Sequence, residues 1–274
     1  MKTAGQFSGT LIVSDFDSTF FERGFIAQRN LDAIRYHMDN GGFFTINTAR
    51  PVDSIAGFLP MFRINAPAVL GNGAVIFDYQ KNEILDITYM EDCAISLARE
   101  VYEKFSTVGI ELYTDKSMYL ARPHHILDVS VQEYRPKGKP TDIYSFEKPL
   151  TRVVFFAQKE INEQIAEYVE RCYPGKFQSI KPFGKIYNLM GKEVTKGSGL
   201  IKLCRILGID PRRSIAIGDS HNDADMLKAA GFCACPRNGK EEIKTMCQLV
   251  VGNVMEGAVA DLIEYTKNYT EGEL

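Results

Sequence analysis

Apolar residues run in short unbroken blocks through the first and last thirds of the chain, each block followed by a polar turn and a stretch with helical spacing. The first block, Thr10-Leu11-Ile12-Val13, shows no alternation, so it predicts a strand buried on both faces. Residues 27–40 follow, with Leu31, Ile34 and Met38 on one helical face and Gly41-Gly42 as a stop. Phe43-Phe44-Thr45-Ile46 predicts a second strand, and Pro51 suits the first turn of a helix over 51–59. Pro67-Ala68-Val69-Leu70 is a third strand, closed by Gly71-Asn72-Gly73. Blocks at 75–77 and 83–85 flank the turn-rich segment 78–82 and predict a hairpin.

From 86 to 185 the character changes. The chain becomes richer in Tyr, Lys and Glu and loses the strand-then-acidic-turn rhythm. Helices are expected over 92–105 and 161–172, with strands near 110–113, 118–121 and 152–157 and a polar stretch over 133–145. The alternation then resumes, with strands at 186–190, 214–217 and 232–235 and helices at 197–207, 224–230 and 257–265. The expected fold class is α/β: a mostly parallel sheet built from 1–85 and 186–274, interrupted by an inserted α+β lobe over 86–185.

Composition narrows the function classes. A net charge of −3 gives no electrostatic reason to expect nucleic acid or an anionic membrane as partner. The apolar blocks are strand-sized, far short of a membrane span. No apolar leader follows Met1, so a cytoplasmic location is the expectation. Six cysteines show neither zinc-like pairs nor a short-spaced framework, so no disulfide is expected.

The candidate chemistry lies where strands end. Asp15 and Asp17 follow the first strand, Thr48 and Arg50 the second, and Asp219 and Asp223 the strand at 214–217, while Lys196 begins a helix. Parallel strands bring their carboxyl ends to one edge, so these scattered residues are expected to converge. Two acids as close as Asp15 and Asp17 repel, which favours a bound cation, a raised pKa on one of them, or both. A carboxylate nucleophile, a hydroxyl, an ammonium and an all-oxygen cation site are what phosphoryl transfer requires. Each residue alone has a plainer reading: a helix cap for Thr48, Asp219 or Asp223, solvated surface for Lys196.

Four motifs in order carry a resemblance. Asp15-Phe16-Asp17-Ser18-Thr19, Thr48-Ala49-Arg50, Lys196-Gly197 and Gly218-Asp219-Ser220-His221-Asn222-Asp223 resemble the motifs of the haloacid dehalogenase superfamily, and Asn72-Gly73 resembles a pair found in its Cof-type branch. The resemblance implies a Rossmann-like three-layer core with an inserted cap that sets substrate specificity. It implies a Mg²⁺-dependent phosphatase acting on a small phosphorylated metabolite, a sugar phosphate first, through an aspartyl-phosphate. Asp15 is then the nucleophile and a metal ligand, and Asp17 the acid and base, with its backbone carbonyl on the metal. Thr48 and Lys196 hold phosphoryl oxygens, and Arg50, Asn72 and Asn222 contact substrate or phosphate. Asp219 binds metal, with Asp223 as direct or outer support. A phosphomutase on the same core, a phospho-receiver and a silent binding protein are the alternatives. Two residues depart from the pattern, Ser18 and Ala49, each standing where the family usually has Gly; a backbone of positive φ at Ser18 would be strained.

Overall fold

The computed structural model describes residues 5–126 and 136–267. The first residues of the polar stretch expected over 133–145 lie outside the described residues. The chain divides into two compact units, one of residues 1–49, 57–86 and 195–274, the other of 50–56 and 87–194.

The first unit is built on a five-stranded parallel sheet. Strands β1 (Leu11–Ser14) and β2 (Phe43–Ile46) come early. A three-stranded sheet follows, of β3 (Ala68–Leu70), β4 (Val75–Asp78) and β5 (Glu83–Ile87). The second unit contributes the next six strands, β6 to β11. The chain then returns with β12 (Ser214–Ile217), β13 (Phe232–Pro236) and β14 (Leu249–Val251). The parallel order is β14-β13-β12-β1-β2, with β1 central. An isolated parallel bridge from Asn47 to Val69 joins the end of β2 to β3. Every residue of β1 and β12 is buried, which is why these strands read as unbroken apolar blocks. Leu11 and Val13 share a core cluster with Leu200 and Leu203 of helix Lys196–Leu207 and with Met226 and Leu227 of helix Ala224–Ala229. Helix Gln28–Asp39 packs against helix Ala258–Thr266, where Asn30 Oδ1 accepts from the Ala260 amide at 2.9 Å.

The second unit is a six-stranded sheet of order β10-β11-β9-β6-β7-β8. Its strands are β6 (Gly109–Tyr113), β7 (Met118–Arg122), β8 (Lys139–Pro140), β9 (Arg152–Phe156), β10 (Gln178–Phe183) and β11 (Ile186–Met190). All pairings are antiparallel except β7 with β8. Alternation sorts the side chains by face. Val153 and Phe155 join a core with helices Ala94–Lys104 and Lys159–Cys172, while Val154 and Phe156 join Tyr113 and Met118 on the other face.

Two expectations change. The strand at 186–190 does not resume the parallel sheet: it pairs antiparallel with β9, so the second unit extends to Val194. A short apolar strand has the same periodicity in either sheet, and only its partner decides. The helix expected over 51–59 is also shorter. It covers Val52–Ala56, and a separate 3₁₀ turn, Leu59–Met61, forms around Pro60, whose missing amide proton cannot continue an α-helix.

Candidate active site

The carboxyl ends of β1 and β12 hold the acids. The Asp15 amide donates to Ile217 O at 2.8 Å, which extends the β1–β12 ladder one residue and fixes where the carboxylate starts. Lys196 enters from the first turn of its helix, whose N-terminus is closed by a reciprocal cap: Thr195 Oγ1 accepts from the Ser198 amide at 3.1 Å, and the Thr195 amide donates to Ser198 Oγ at 3.0 Å. Asn47 Nδ2 donates to Lys196 O at 2.8 Å, tying that turn to the end of β2.

An ammonium at a helix N-terminus opposes the helix dipole, so something must compensate. Here it is two carboxylates. Lys196 Nζ lies 2.5 Å from Asp15 Oδ1 and 2.6 Å from Asp223 Oδ1, and all three residues are buried. Asp223 Oδ2 accepts from the amides of Asp219 at 3.0 Å and Ser220 at 2.9 Å, so both its oxygens are engaged. Asp219 completes the group. The carboxylates of Asp15, Asp219 and Asp223 each offer an oxygen, and these oxygens lie within 4.8 Å of one another. Thr19 Oγ1 donates to Asp219 Oδ1 at 3.1 Å.

Charge bookkeeping follows from this geometry. Burial, then the neighbouring Asp223, hold the Asp15 carboxyl well above the usual carboxylate range, and Lys196 only partly offsets them. Burial and Asp223 likewise push Asp219 up to about 6. Burial works against the charged form of Lys196, but Asp15 and Asp223 together outweigh it and hold the ammonium above its ordinary value. Three carboxylates around one ammonium leave an excess of negative charge that a cation would relieve. Hard carboxylate oxygens at this spacing suit Mg²⁺, which prefers a few carboxylates and keeps waters and phosphate as its other ligands.

Two glycines make the arrangement possible. A Cβ on Gly218 would stand 2.6 Å from Asp223 Cβ and Cγ, so the Asp223 carboxylate folds back only over glycine. Gly73 has φ +101°, and a Cβ there would stand 2.0 Å from Thr195 O; the Gly71–Gly73 turn therefore packs directly on the start of the Lys196 helix. Asn72, between them, is left-handed at φ 59° and receives Asn222 Nδ2 on its Oδ1 at 3.2 Å.

The structure thus brings together Asp15, Lys196, Asp219 and Asp223, and separately joins Asn72 to Asn222. Thr48 is buried beyond the end of β2; its amide donates to Val69 O at 2.9 Å, and its carbonyl accepts from the Asn72 amide at 2.9 Å. Asp17 is half-buried on the β1 turn, and its carboxylate is not one of the three that converge. Arg50 belongs to the second unit, where its Nη1 donates to Ser54 Oγ at 3.3 Å. Ser18 takes φ 62°, the strained region anticipated for a residue in place of glycine, and its carbonyl is held by Asn238 Nδ2 at 2.7 Å. The structure adds Asn47, Thr19 and Asn238 to these residues. Thr19 had a signal, as the last residue of the Asp-rich motif; the other two reach the site only through chain folding.

Comparison with known proteins follows the same lines. Residues 12–263 match the haloacid dehalogenase-like hydrolase family, and the chain belongs to it. A phosphoglycolate phosphatase from Methanopyrus kandleri is 34% identical over 137 residues, covering 47% of this chain and 56% of that protein. Pyridoxal phosphate phosphatase YbhA from Escherichia coli is 22% identical, over 92% of this chain and 97% of its own length. A crystal structure of a haloacid dehalogenase-like hydrolase from Bacteroides thetaiotaomicron superposes with a TM-score of 0.82 at 20% identity, covering 93% of this chain and 98% of that one. The α/β fold with a mostly parallel sheet is therefore the fold of the family. No helix among the described residues is long and apolar enough to cross a membrane.

Proposed function

We propose that this enzyme hydrolyses phosphate monoesters of a small metabolite through a phosphoryl group held transiently on Asp15. The observation that carries the reading is the buried Lys196 ammonium bound to both Asp15 and Asp223 at the strand ends, with Asp219 beside them. Lys196 neutralises part of the charge that would otherwise repel an incoming phosphate from the Asp15 carboxylate. It also orients Asp15, leaving the second carboxylate oxygen to attack phosphorus in line with the leaving group. Asp17, next on the same turn, gives its proton to the departing oxygen and takes one from the water that later cleaves the acyl phosphate. Thr48 supplies a hydroxyl donor for a phosphoryl oxygen, and the Asn72–Asn222 pair and Arg50 serve substrate binding.

Mg²⁺ fits the carboxylate set, with Asp15 and Asp219 as ligands. Asp223, whose oxygens are taken by Lys196 and two amides, acts by holding Lys196 and the Asp219 loop. When bound, the ion supplies positive charge to the transferring phosphoryl group. The relatives act on phosphoglycolate and on pyridoxal phosphate. Sugar phosphates are the first class to test beside those two.

The test is phosphate release from a panel of sugar phosphates, phosphorylated acids and phosphorylated cofactors, with Mg²⁺ and with EDTA. Metal-dependent turnover of at least one class is expected. Absence of release from every class by folded, Mg²⁺-supplied protein would overturn the reading.

A further inference from the structure

The sheet of the second unit buries a cation that has no ion-pair partner among the described residues. Arg152 opens β9 and, by strand alternation, shares a face with Val154 and Phe156. The helices Ala94–Lys104 and Lys159–Cys172 pack on the opposite face, through Val153 and Phe155. Arg152 is 5% exposed, and its Nε is buried without a hydrogen-bond partner. Its guanidinium carbon lies 3.8 Å from the ring centroid of Tyr113, its register partner on β6. Among the described residues it forms no ion pair.

An acid on that face, among the described residues, does not fill the gap. Glu111 stands opposite Val154, one row from Arg152, and is already engaged. It accepts from the Tyr113 hydroxyl at 2.8 Å and lies 3.2 Å from His124 Nε2, whose ring stacks on Phe156 at 3.8 Å. A buried guanidinium is costly to leave unpaired, and a cation–π contact returns only part of that cost. Its planar fork also suits the paired oxygens of a carboxylate or phosphoryl group, which a lysine would not match.

We infer that the second unit carries an anion-binding site centred on Arg152, which takes the carboxylate or phosphoryl group of a small ligand. The anion has two possible sources of the same chemistry: a second charged group on the substrate, or a separate small anion. The first source rests on the phosphatase reading above; the second does not.

The test reads Arg152 itself. In ¹⁵N–¹H spectra of the full chain in EDTA, the buried Arg152 Nε–H signal, assigned by its loss in Arg152→Lys, is followed during titration with inorganic phosphate or malonate. A saturable shift is expected, absent with sodium chloride at equal ionic strength. The ring signals of Tyr113 and His124 follow the same titration, weakened in Arg152→Lys and abolished in Arg152→Met. A folded protein whose Nε–H signal does not saturate with either anion, or ring shifts that persist in Arg152→Met, would overturn the site.

Kinetics with metal then separate the sources. The ratio of kcat/KM for 2-phosphoglycolate over ethyl phosphate falls about tenfold or more in Arg152→Met if the anion is the substrate's own. An unchanged ratio beside a positive titration assigns the site to a separate anion. Failure of the wild type to release phosphate from any ester would sink the phosphatase reading and leave the anion site to the titration.

Discussion

Lys196 and Arg152 are both buried cations, and they live under opposite conditions. Lys196, 1% exposed, has a carboxylate oxygen at 2.5 Å and another at 2.6 Å. Arg152, 5% exposed, has an aromatic ring and, among the described residues, no acid. The first is part of a set that the chain completes by itself, with the cap of its helix, the Gly71–Gly73 turn and the Asp223 carboxylate all fixing one ammonium. The second is incomplete. A protein that buries one cation with two anions and another with none among the described residues is separating a group that must be held still from a group that waits for a ligand.

The sharpest way to break this contrast is to remove each cation. Lys196→Met leaves the Asp15 and Asp223 carboxylates buried against each other, so a loss of about 3–5 kcal/mol is expected. Arg152→Met replaces a charge with no ion-pair partner among the described residues by a shorter apolar chain, and its stability should stay within about 1 kcal/mol of wild type. Urea unfolding of both variants decides; equal losses would show that the two sites are not different in kind.

A third buried group sharpens the comparison, because unlike arginine it can discard its charge. His37 is fully buried, with Nε2 3.2 Å from Phe43 O and Nδ1 without a partner. Burial lowers its pKa from 6.5 to about 4, against the opposing effect of the Phe43 hydrogen bond. The folded state therefore binds fewer protons than the unfolded one between these values. The contribution is fully present above pH 6.5 and lost as pH falls toward 4, about 3 kcal/mol in all. Stability measured across that window should fall with this slope in wild type and more gently in His37→Leu. An identical slope in both would place the acid sensitivity elsewhere.

The smallest effect concerns backbone rather than charge. Ser18 holds φ 62° within the turn after β1, where its hydroxyl donates to Glu22 Oε2 at 3.1 Å. Ser18→Gly relieves the left-handed strain but loosens the unfolded chain, so thermal unfolding should shift by less than about 1 kcal/mol. Ser18→Val, with a branched Cβ, should cost about 1–2 kcal/mol. A larger loss in the glycine variant would mean that the hydroxyl matters more than the backbone.

The difference between the two cations also explains what was legible in the sequence. Lys196 could be read only through the order of the four motifs, since alone at a helix start it reads as solvated surface; its partners Asp15 and Asp223 lie in motifs at strand ends that parallel topology brings to one edge. The same logic leads to the expectation that Asp15, Asp219 and Asp223 converge, and their carboxylate oxygens lie within 4.8 Å of one another; the concern about Ser18 comes instead from the family resemblance, in which glycine usually stands there. Arg152 could not be read in this way. At the head of Arg152–Phe156 it looks like any strand-edge arginine, and only the pairing with β6 and the alternation of Val153 and Val154 show which face it occupies. Strand Ile186–Met190 reads as part of the parallel sheet for the same reason, since an antiparallel partner leaves no mark on a five-residue apolar run. Asn47 and Asn238 support the site through contacts far apart in the chain, to Lys196 O and Ser18 O, which no local pattern reports.

The central claim, that Asp15 carries the phosphoryl group, is tested most directly by trapping it. Protein turning over a hydrolysed ester with Mg²⁺ is quenched in acid, digested and analysed by mass spectrometry, beside Asp15→Asn and Asp17→Asn. The account predicts one phosphoryl mass on the peptide containing Asp15. Once formed, it should decay more slowly in Asp17→Asn, where water is no longer activated, and it should be absent from Asp15→Asn, whose turnover should be lost. A phosphoryl group on any other residue, or undiminished turnover by Asp15→Asn, would contradict it.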